Sequence, residues 1–431
     1  MISPARNLAF ILTARIEAHC LNSDDAVNDP EMARLDVRDR HLAAEIIYGA
    51  LRRQATLDWM LAQRSSRSWE EIAPTAKTIL RISLYQMWQL DRIPDHALVN
   101  NAVELAKREM GTGVSRYING ILRRLARERP WNEKNWLDKA PEYVQVSLPS
   151  WLWTRWRDRF GRAAAKEFAL SLLSPPRAAF RISQGKMNPE PEHHEAMEQS
   201  NIVPQTFIAA REARGRGIPP GAYFQDEASQ LIPWLAGSLS PGTKIWDSCA
   251  APGGKSAIFA GMPCKDMLLV SSDRVPERAE NIRRVLHKTA TMPLVLAADA
   301  RRPPPFRSAF DLVCADVPCS GLGTLRRNPE IRWRISPEDF NRLRITQGQI
   351  LSSVSSAVRP GGLLLYSTCS TEPEENELVV EDFLKTNPDF KLRAPEQPSG
   401  IEHLIGKDLM VRTFPSRRLW DGFFAALFVR H

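Results

Sequence analysis

The sequence predicts a multidomain protein with an all-α N-terminal bundle, a small α+β linker domain and a C-terminal α/β domain. First, 431 residues are too many for one ordinary hydrophobic core and suit two or three domains. Second, apolar residues recur at helical spacing through residues 1–130. Third, short apolar runs alternate with helical stretches from residue 226 onward. The expected domains are 1–135, 145–225 and 226–431.

The helical pattern of the N-terminal part predicts core packing on one face of each helix. Leu80, Leu84 and Met87 follow one another at helical spacing, and the pattern recurs up to residue 125. The opposite face of the last of these helices is rich in arginine, namely Arg116, Arg123, Arg124, Arg127 and Arg129. Such a row suits a phosphate backbone, although a merely solvated helix face is an equally good interpretation.

The composition is that of a globular protein without membrane segments. No apolar run reaches the roughly 18 uncharged residues that a membrane span needs, and the charges of Arg6, Arg15 and Glu17 argue against a signal peptide. The six cysteines form no Cys-x-x-Cys pair, which argues against a zinc site and for a reducing compartment. We therefore expect a cytoplasmic protein without a metal ion. The formal charge of +8 weakly favours a polyanionic partner.

Five short apolar runs predict the strands of a mainly parallel sheet. They cover residues 244–248, 267–272, 294–298, 310–315 and 363–367. Reactive side chains follow the ends of these runs, in the order Cys249, Asp273, Asp299, Asp316 with Cys319, and Cys369. Because ligands of open α/β sheets bind outside the carboxyl ends of the strands, these side chains predict one site at one rim.

The first of these strands leads into a turn of small residues. The turn and its flanks are Asp247, Ser248, Cys249, Ala250, Ala251, Pro252, Gly253, Gly254 and Lys255. Glycines and small residues let the backbone approach a ligand closely. The spacing is neither that of a P-loop nor that of a dinucleotide-binding loop. A nucleoside cofactor without a tightly held pyrophosphate fits, and S-adenosylmethionine is the common example.

Two aspartates extend this cofactor hypothesis. Asp273 comes twenty residues after Gly253 and is suited to accept hydrogen bonds from ribose hydroxyls. Asp299 is suited to hold the amino group of an adenine. A lone aspartate is more typical of a helix cap or a turn, but three carboxylates at strand tips after a glycine turn favour the cofactor.

Asp316, Cys319 and Cys369 suit the methylation of cytosine at carbon 5. That carbon is a poor nucleophile until a thiolate adds to carbon 6, and a cysteine already holds some thiolate near neutral pH. Asp316 is placed to hydrogen-bond to the pyrimidine edge, and Lys255 to lower the pKa of a thiol. The second cysteine would assist release of the product. Spacing alone does not decide which cysteine has which role.

Two further segments combine arginine with aromatic residues, as RNA-binding surfaces do. The loop 326–334 directly follows the Cys319 strand and contains four arginines and Trp333, so we predict that it contacts RNA. The segment 151–159 contains three tryptophans and three arginines. For this second segment, packing at a domain interface is the more typical interpretation.

Several motifs resemble those of the bacterial RNA cytosine-5 methyltransferases. They are Asp-x-Cys-Ala-Ala-Pro-Gly-Gly-Lys (247–255), Asp-x-Pro-Cys-Ser-Gly-x-Gly (316–323), Arg-Arg-Asn-Pro-Glu-Ile-Arg-Trp (326–333), Thr-Cys-Ser (368–370) with Glu-Glu-Asn (374–376), and Asp-Gly-Phe-Phe (421–424). Segments 91–96 and 117–124 resemble the NusB-like helical domain fused to the Fmu/Sun branch of that family. The resemblance covers nearly the full length. It implies a NusB-like RNA-binding bundle and a Rossmann-like, S-adenosylmethionine-dependent methyltransferase domain.

The resemblance also implies roles for individual residues. The family's cofactor-contacting positions match Cys249, Ala250, Ala251, Pro252, Gly253, Gly254, Lys255, Asp273, Asp299 and Asp316. Cys369 matches the nucleophile and Cys319 the cysteine that helps release the product, with Asp316 and Lys255 as further catalytic candidates. Val317 departs from the family, which commonly has alanine there. Because valine keeps the apolar character, we expect activity to survive.

The branch in question methylates 16S ribosomal RNA, and by resemblance the target is cytosine 967. The expected partner is therefore 16S ribosomal RNA, before or during small-subunit assembly, and the chain is expected to be a monomer. One alternative is the same chemistry on transfer RNA. The other is a non-catalytic RNA-binding assembly factor, which would require a broken cofactor site.

Overall fold

A computed structural model describes residues 2–91, 93–182, 197–209, 221–287, 293–415 and 420–431. Arg92 of the 91–96 motif and parts of the predicted linker domain lie outside the described residues. The chain forms two compact units. The first comprises Met1–Pro175 and Leu325–Arg334, and the second comprises Pro176–Thr324 and Ile335–His431.

The first unit is helical, as the sequence predicts. Its described α-helices up to residue 175 are α1 (Pro4–Glu17), α2 (Ser23–Val27), α3 (Pro30–Arg34), α4 (Val37–Arg52), α5 (Gln54–Ala62), α6 (Pro74–Gln89), α7 (Asp95–Met110), α8 (Thr112–Glu128), α9 (Glu142–Gln145), α10 (Ser150–Phe160) and α11 (Arg162–Ser171). Helices α1, α3 and α6 begin with a proline, at a position whose N–H would have no partner within the helix. Arg81 of α6 binds Asp58 of α5 at 2.6 Å and Glu17 of α1 at 2.8 Å. Three helices are thereby joined beside the apolar core.

The segment Leu325–Arg334 belongs to this helical unit and is held there by buried arginines. Arg332 is fully buried and donates to the carbonyl oxygens of Leu325 at 3.0 Å and Ser147 at 3.1 Å. Arg326 is also fully buried, and its carbonyl oxygen accepts from Arg52 at 3.0 Å. These bonds place the segment in the interior of the unit.

The predicted RNA contact of this loop is therefore wrong for Arg326 and Arg332, because a guanidinium without exposed surface cannot meet a phosphate. Trp333 is half-buried and donates its indole N–H to the carbonyl oxygen of Leu51 at 2.9 Å. Arg334 donates to the carbonyl oxygen of Ile16 at 2.7 Å. These arginine and tryptophan side chains bind other parts of the helical unit. Their spacing in the sequence did not distinguish this role from RNA binding.

The exchange Arg332→Met is expected to destabilise the protein by about 3 kcal/mol, because it leaves buried carbonyl oxygens without a donor. Burial lowers the pKa of Arg332 to about 9, so the side chain remains a charged donor at neutral pH. Urea unfolding followed by circular dichroism measures the effect. Arg123→Met, on the exposed face of α8, should change stability by less than about 0.5 kcal/mol. Equal midpoints for the two variants would contradict this role of Arg332.

The tryptophans of the 151–159 segment are largely packing residues. Trp153 and Trp156 are buried in α10, and the Trp156 ring lies 4.5 Å from that of Phe168 in α11. The arginine row of α8, by contrast, is exposed along its whole length. Whether that row contacts RNA stays a prediction.

The second unit begins with a small antiparallel sheet. Its strands are β1 (Ala179–Ile182), β2 (Met197–Gln199), β3 (Thr206–Ala209) and β4 (Ala222–Phe224), in the order β2-β3-β1-β4. Phe180 pairs with Phe207 on one side and Phe224 on the other. Helices α10 and α11 belong to the first unit and these strands to the second, so an independent 145–225 domain stays a prediction.

The second sheet follows the predicted α/β pattern. Its strands are β5 (Lys244–Asp247), β6 (Leu268–Asp273), β7 (Leu294–Ala297), β8 (Phe310–Asp316), β9 (Val358–Thr368), β10 (Phe390–Leu392), β11 (Val411–Arg412) and β12 (Phe424–Arg430). The described helices of this unit longer than one turn are α12 (Glu227–Trp234), α13 (Gly254–Gly261), α14 (Pro276–Leu286), α15 (Pro337–Ser355) and α16 (Glu377–Thr386). The strand order is β10-β12-β9-β8-β5-β6-β7, with β11 paired to β12.

The parallel part of this sheet positions the site. Strands β7, β6, β5, β8 and β9 are parallel neighbours, and β12 runs antiparallel to β9. Because the chain leaves β5 toward β6 and later returns to its other side as β8, the strand order reverses between β5 and β8. Ligands of doubly wound sheets bind at the carboxyl ends beside such a reversal.

Among the described residues, no helix combines the length and the apolar run that crossing a membrane requires.

Candidate active site

A cavity of about 430 Å³ opens where the parallel strands end. It is lined by all six reactive strand-tip residues that the sequence singles out, namely Cys249, Asp273, Asp299, Asp316, Cys319 and Cys369. An adjoining cavity of about 210 Å³ is lined by Lys255, Ala250, Pro252 and Gly254 and shares Cys249, Ala251 and Asp316 with the first. The residues predicted to form one site therefore do meet at one rim.

The turn after β5 requires its glycine at the start of α13. Gly253 has a φ of +109°, and a Cβ there would lie 3.3 Å from the Cα of Ile282 and the Cβ of Val285. The N–H of Ala250 donates to the carbonyl oxygen of Ser272 at 2.8 Å, which fixes the turn against β6. The turn is thus held between β6 and α14.

The two cofactor aspartates also stabilise their own turns. Asp273 ends β6 and accepts from the backbone N–H of Val275 at 3.1 Å. Asp299 accepts from the backbone N–H of Arg301 at 3.1 Å, and the Arg301 guanidinium binds the same carboxylate at 2.6 Å. These hydrogen bonds from Arg301 lower the pKa of Asp299 to about 2. Each aspartate therefore both stabilises its own turn and lines the cavity.

Asp316 is fixed from two sides. The Nζ atom of Lys255 lies 2.6 Å from its Oδ2, and the hydroxyl of Ser367 donates to its Oδ1 at 2.7 Å. Burial alone would lower the pKa of Lys255, but the charge of Asp316 outweighs it and raises that pKa. Lys255 also lies 5.2 Å from the centre of the Phe423 ring. Ser367 and Phe423 are contributors that the sequence analysis missed, although Phe423 lies in the quoted Asp-Gly-Phe-Phe motif.

The two cysteines at the rim are in direct contact. The Sγ atoms of Cys319 and Cys369 are 3.1 Å apart, and the backbone N–H of Cys369 lies 3.3 Å from the Sγ of Cys319. Both are free, half-buried thiols. The hydrogen bond that the two thiols share, together with burial, raises the pKa of Cys319 well above its ordinary value. One substrate ring placed at this rim would meet both sulfurs.

The C-terminal Asp-Gly-Phe-Phe motif packs directly against the two loops that carry Cys319 and Cys369, here called the thiol loops. The N–H of Gly323 donates to the carbonyl oxygen of Cys369 at 3.0 Å, and the N–H of Gly422 donates to the carbonyl oxygen of Gly323 at 2.8 Å. A Cβ on Gly323 would lie 1.8 Å from the carbonyl oxygen of Gly422. Backbone therefore meets backbone at this point, and only glycine fits.

The buried carboxyl group of Asp247, beneath the site, should make the free energy of unfolding depend on pH. Burial raises its pKa to about 7, while Ser256 donates to its carboxylate at 2.6 Å. A carboxyl whose pKa is higher in the folded than in the unfolded state stabilises the fold when protonated and loses that contribution as pH rises toward the folded pKa. Relative to Asp247→Asn, the wild type is expected to lose stability between about pH 4 and pH 7, with a slope of at most about 1.4 kcal/mol per pH unit.

Urea unfolding of both proteins at several pH values checks this expectation. Carboxyl groups that the two proteins share cancel in the difference. A stability difference that stays constant from pH 5 to pH 8 would contradict the raised pKa of Asp247.

The strand order, the glycine turn and the rim of carboxylates and thiols define a Rossmann-like methyltransferase domain. The family described as 16S rRNA methyltransferase RsmB/F matches residues 235–429, and the NusB family matches residues 3–127. The probable ribosomal RNA small subunit methyltransferase B of Synechocystis sp. is 31% identical, covering 99% of this chain and 99% of its own length. The chain therefore belongs to the RsmB/F family of methyltransferases, with an N-terminal NusB domain.

Two further comparisons agree with this assignment. The ribosomal RNA small subunit methyltransferase B of Thermus thermophilus is 34% identical and covers 90% of this chain and 88% of its own. The crystal structure of PH0851 has a TM-score of 0.80 at 25% identity and covers 100% of this chain and 99% of its own. Both comparisons extend over almost the whole length, so the helical and the α/β parts are shared together.

Proposed function

We propose that this protein methylates carbon 5 of a cytosine in 16S ribosomal RNA, with S-adenosylmethionine as methyl donor and Cys369 as nucleophile. One observation carries the proposal, namely the contact between the Cys319 and Cys369 sulfurs at the rim that also holds Asp316. A methyltransferase that acts on a nitrogen or an oxygen needs no thiol pair. Addition to a pyrimidine and later elimination use one cysteine as nucleophile and a second group for release.

The chain's own residues fit S-adenosylmethionine. The cavity beside β5 and β6 is lined by Cys249 and Ala251 of the small-residue turn and by the carboxylates of Asp273 and Asp299. We assign Asp273 to the ribose hydroxyls and Asp299 to the adenine amino group, with the turn 249–255 and Asp316 around the rest of the donor. When bound, the donor supplies an electrophilic methyl group on a sulfonium centre.

In the proposed mechanism the Cys369 thiolate forms a bond to carbon 6 of a cytosine that has been swung out of its stack. The electron pair of the carbon 5–carbon 6 double bond then becomes available at carbon 5, which takes up the methyl group. Asp316 accepts a hydrogen bond from the base edge, and its contacts with Lys255 and Ser367 fix its orientation. Loss of the proton from carbon 5 returns its electron pair to the carbon 5–carbon 6 bond, while the carbon 6–sulfur bond breaks and Cys369 leaves as a thiolate. Cys319 assists this release.

The substrate assignment rests on the relatives named ribosomal RNA small subunit methyltransferase B and on the positive charge of the chain. Within 16S ribosomal RNA we propose cytosine 967 as the target. The reaction is proposed to occur in the cytoplasm, with a monomeric enzyme and without a metal ion.

Bisulfite mapping of total RNA tests the substrate. In cells that lack this protein, one 5-methylcytosine should be lost from 16S ribosomal RNA and regained on re-expression of the wild type. Loss from a transfer RNA instead would replace ribosomal RNA by transfer RNA as the substrate. An unchanged methylation map, together with no S-adenosylmethionine binding by calorimetry, would support the non-catalytic assembly factor and overturn the proposal.

A further inference from the structure

Glu375 lies beneath both cysteine loops, although its position in the sequence favours an ordinary place near the start of a helix. Helix α16 begins only at Glu377, and Glu375 is fully buried before it. Its Oε2 accepts hydrogen bonds from the hydroxyls of Ser320 and Ser370, each at 2.5 Å. Its Oε1 accepts from the backbone N–H of Ser320 at 2.7 Å. Ser320 and Ser370 each directly follow a cysteine of the thiol pair.

Further contacts hold this carboxylate in place. Gln347 of α15 donates to Oε1 at 3.0 Å, and its side-chain amide also lies 3.0 Å from the carbonyl oxygen of Pro318. Tyr366 donates its hydroxyl to the backbone carbonyl of Glu375 at 2.5 Å. The carboxylate thus has four donors, two on each oxygen, which is the full acceptor capacity of an ionised carboxyl group.

The neighbouring Asn376 fixes the Cys369 loop from its other side. Its Oδ1 accepts from the hydroxyl of Thr368 at 2.6 Å, and its Nδ2 donates to the carbonyl oxygen of Ser370 at 3.0 Å. Thr368 and Ser370 flank Cys369 in the chain. Asn376 therefore binds the residues on both sides of Cys369, and Glu375 binds the residue that follows each of the two cysteines.

We propose that Glu375 is a positioning residue that sets the spacing of the two thiols by binding Ser320 and Ser370 with one carboxylate. This inference rests on the proposed function, in which the two sulfurs act on adjacent atoms of one ring. The Cys319 and Cys369 loops follow different strands, β8 and β9. Below the sulfurs, the loops are linked through the hydroxyls of Ser320 and Ser370, which both bind the carboxylate of Glu375. The backbone hydrogen bond from Gly323 to the carbonyl oxygen of Cys369 also joins the loops, so loss of the carboxylate loosens their relative placement. Misplacement by about 1 Å can slow a reaction by about 10²-fold.

The test measures how fast a covalent protein–RNA adduct forms in single turnover, in a Cys319→Ala background that is expected to retain the adduct. Glu375→Ala and Glu375→Asp should each slow adduct formation by about 10²-fold, because alanine has no acceptor and aspartate is one methylene too short to reach both serines. Glu375→Gln should stay within about tenfold of the parent. Its amide can keep both hydroxyls bound, since a hydroxyl both donates and accepts.

The affinity for S-adenosylmethionine, measured by calorimetry, reports folding in the same variants and should be unchanged. Glu377→Ala is the matched control, because this carboxylate two residues further on binds Arg412 at 2.8 Å and not the thiol loops. The control should form the adduct at the parent rate. If Glu375→Ala lost donor binding as well, Ser320→Ala combined with Ser370→Ala would replace it, with the same loss of rate expected.

Two outcomes overturn different claims. If the parent forms no adduct at all, the proposed function fails before Glu375 is tested. If the parent reacts and Glu375→Ala or the double serine variant reacts equally fast, the placement of Cys369 does not depend on Glu375 and the positioning role is overturned. A Glu375→Gln variant as slow as Glu375→Ala would also overturn the positioning role, because it would make the negative charge rather than the link essential.

Discussion

Cys369→Ala is expected to lower RNA methylation by more than about 10⁴-fold and to form no covalent adduct, because the nucleophile is lost. Cys319→Ala is expected to behave differently. Its Cys369 can still attack, but the step that expels it is impaired, so a protein–RNA adduct should accumulate and survive denaturation. Denaturing gels with labelled RNA and S-adenosylmethionine measure both outcomes in one experiment.

The pair is informative because the sulfurs are only 3.1 Å apart, so distance from the rim does not distinguish the two roles. Cys264→Ala serves as the control. This half-buried thiol follows α13, donates to the carbonyl oxygen of Ser240 at 3.0 Å and does not line the main cavity. An adduct from Cys369→Ala but none from Cys319→Ala would reverse the assignment of the two cysteines.

Asp316→Asn is expected to lower the methylation rate by about 10²–10³-fold, which is the usual effect of removing one oriented polar group from a reacting centre. The carboxylate binds Lys255 through one oxygen and Ser367 through the other. An amide has one acceptor oxygen and no charge, so the variant loses the ion pair with Lys255 and one acceptor at the base edge. Single-turnover kinetics with saturating RNA separate this effect from weaker binding.

The control for this exchange comes from the same strand. Asp311→Asn removes the partner of Arg359 at 2.6 Å near the opposite end of β8, far along the strand from the cavity. Its methylation rate should match the wild type. Equal rates for Asp316→Asn and Asp311→Asn would show that Asp316 takes no part in the reaction.

Much of the α/β unit was predictable because a buried parallel strand is a short apolar run, and its carboxyl end is where a polar side chain becomes useful. The prediction of a strand over 310–315 and the observed β8 (Phe310–Asp316) differ by one residue. The same logic placed Asp316 and Cys319 at a rim with Cys369, without any knowledge of strand order. Periodicity along the chain was enough for these elements.

Contacts between distant parts of the chain were not predictable in this way. The arginines of 326–334 were predicted to bind RNA because a sequence does not show whether a guanidinium is buried or exposed. For Arg332, burial becomes visible only from its hydrogen bonds to the carbonyl oxygens of Leu325 and Ser147. The contacts of Glu375 were not predictable for the same reason. Its partners Ser320 and Ser370 are set by the pairing of β8 with β9, which spacing does not reveal.

The discontinuous make-up of the helical unit affects how the protein emerges from the ribosome. Residues 1–175 are synthesised first, yet Arg332 reaches the carbonyl oxygen of Ser147 only after about 150 further residues have been added. Until then this unit lacks part of its interior, and a nascent chain stalled before residue 325 would hold it incomplete. A fragment that ends at residue 175 is therefore expected to leave buried acceptors such as the carbonyl oxygen of Ser147 without this donor and to be less stable than the complete unit.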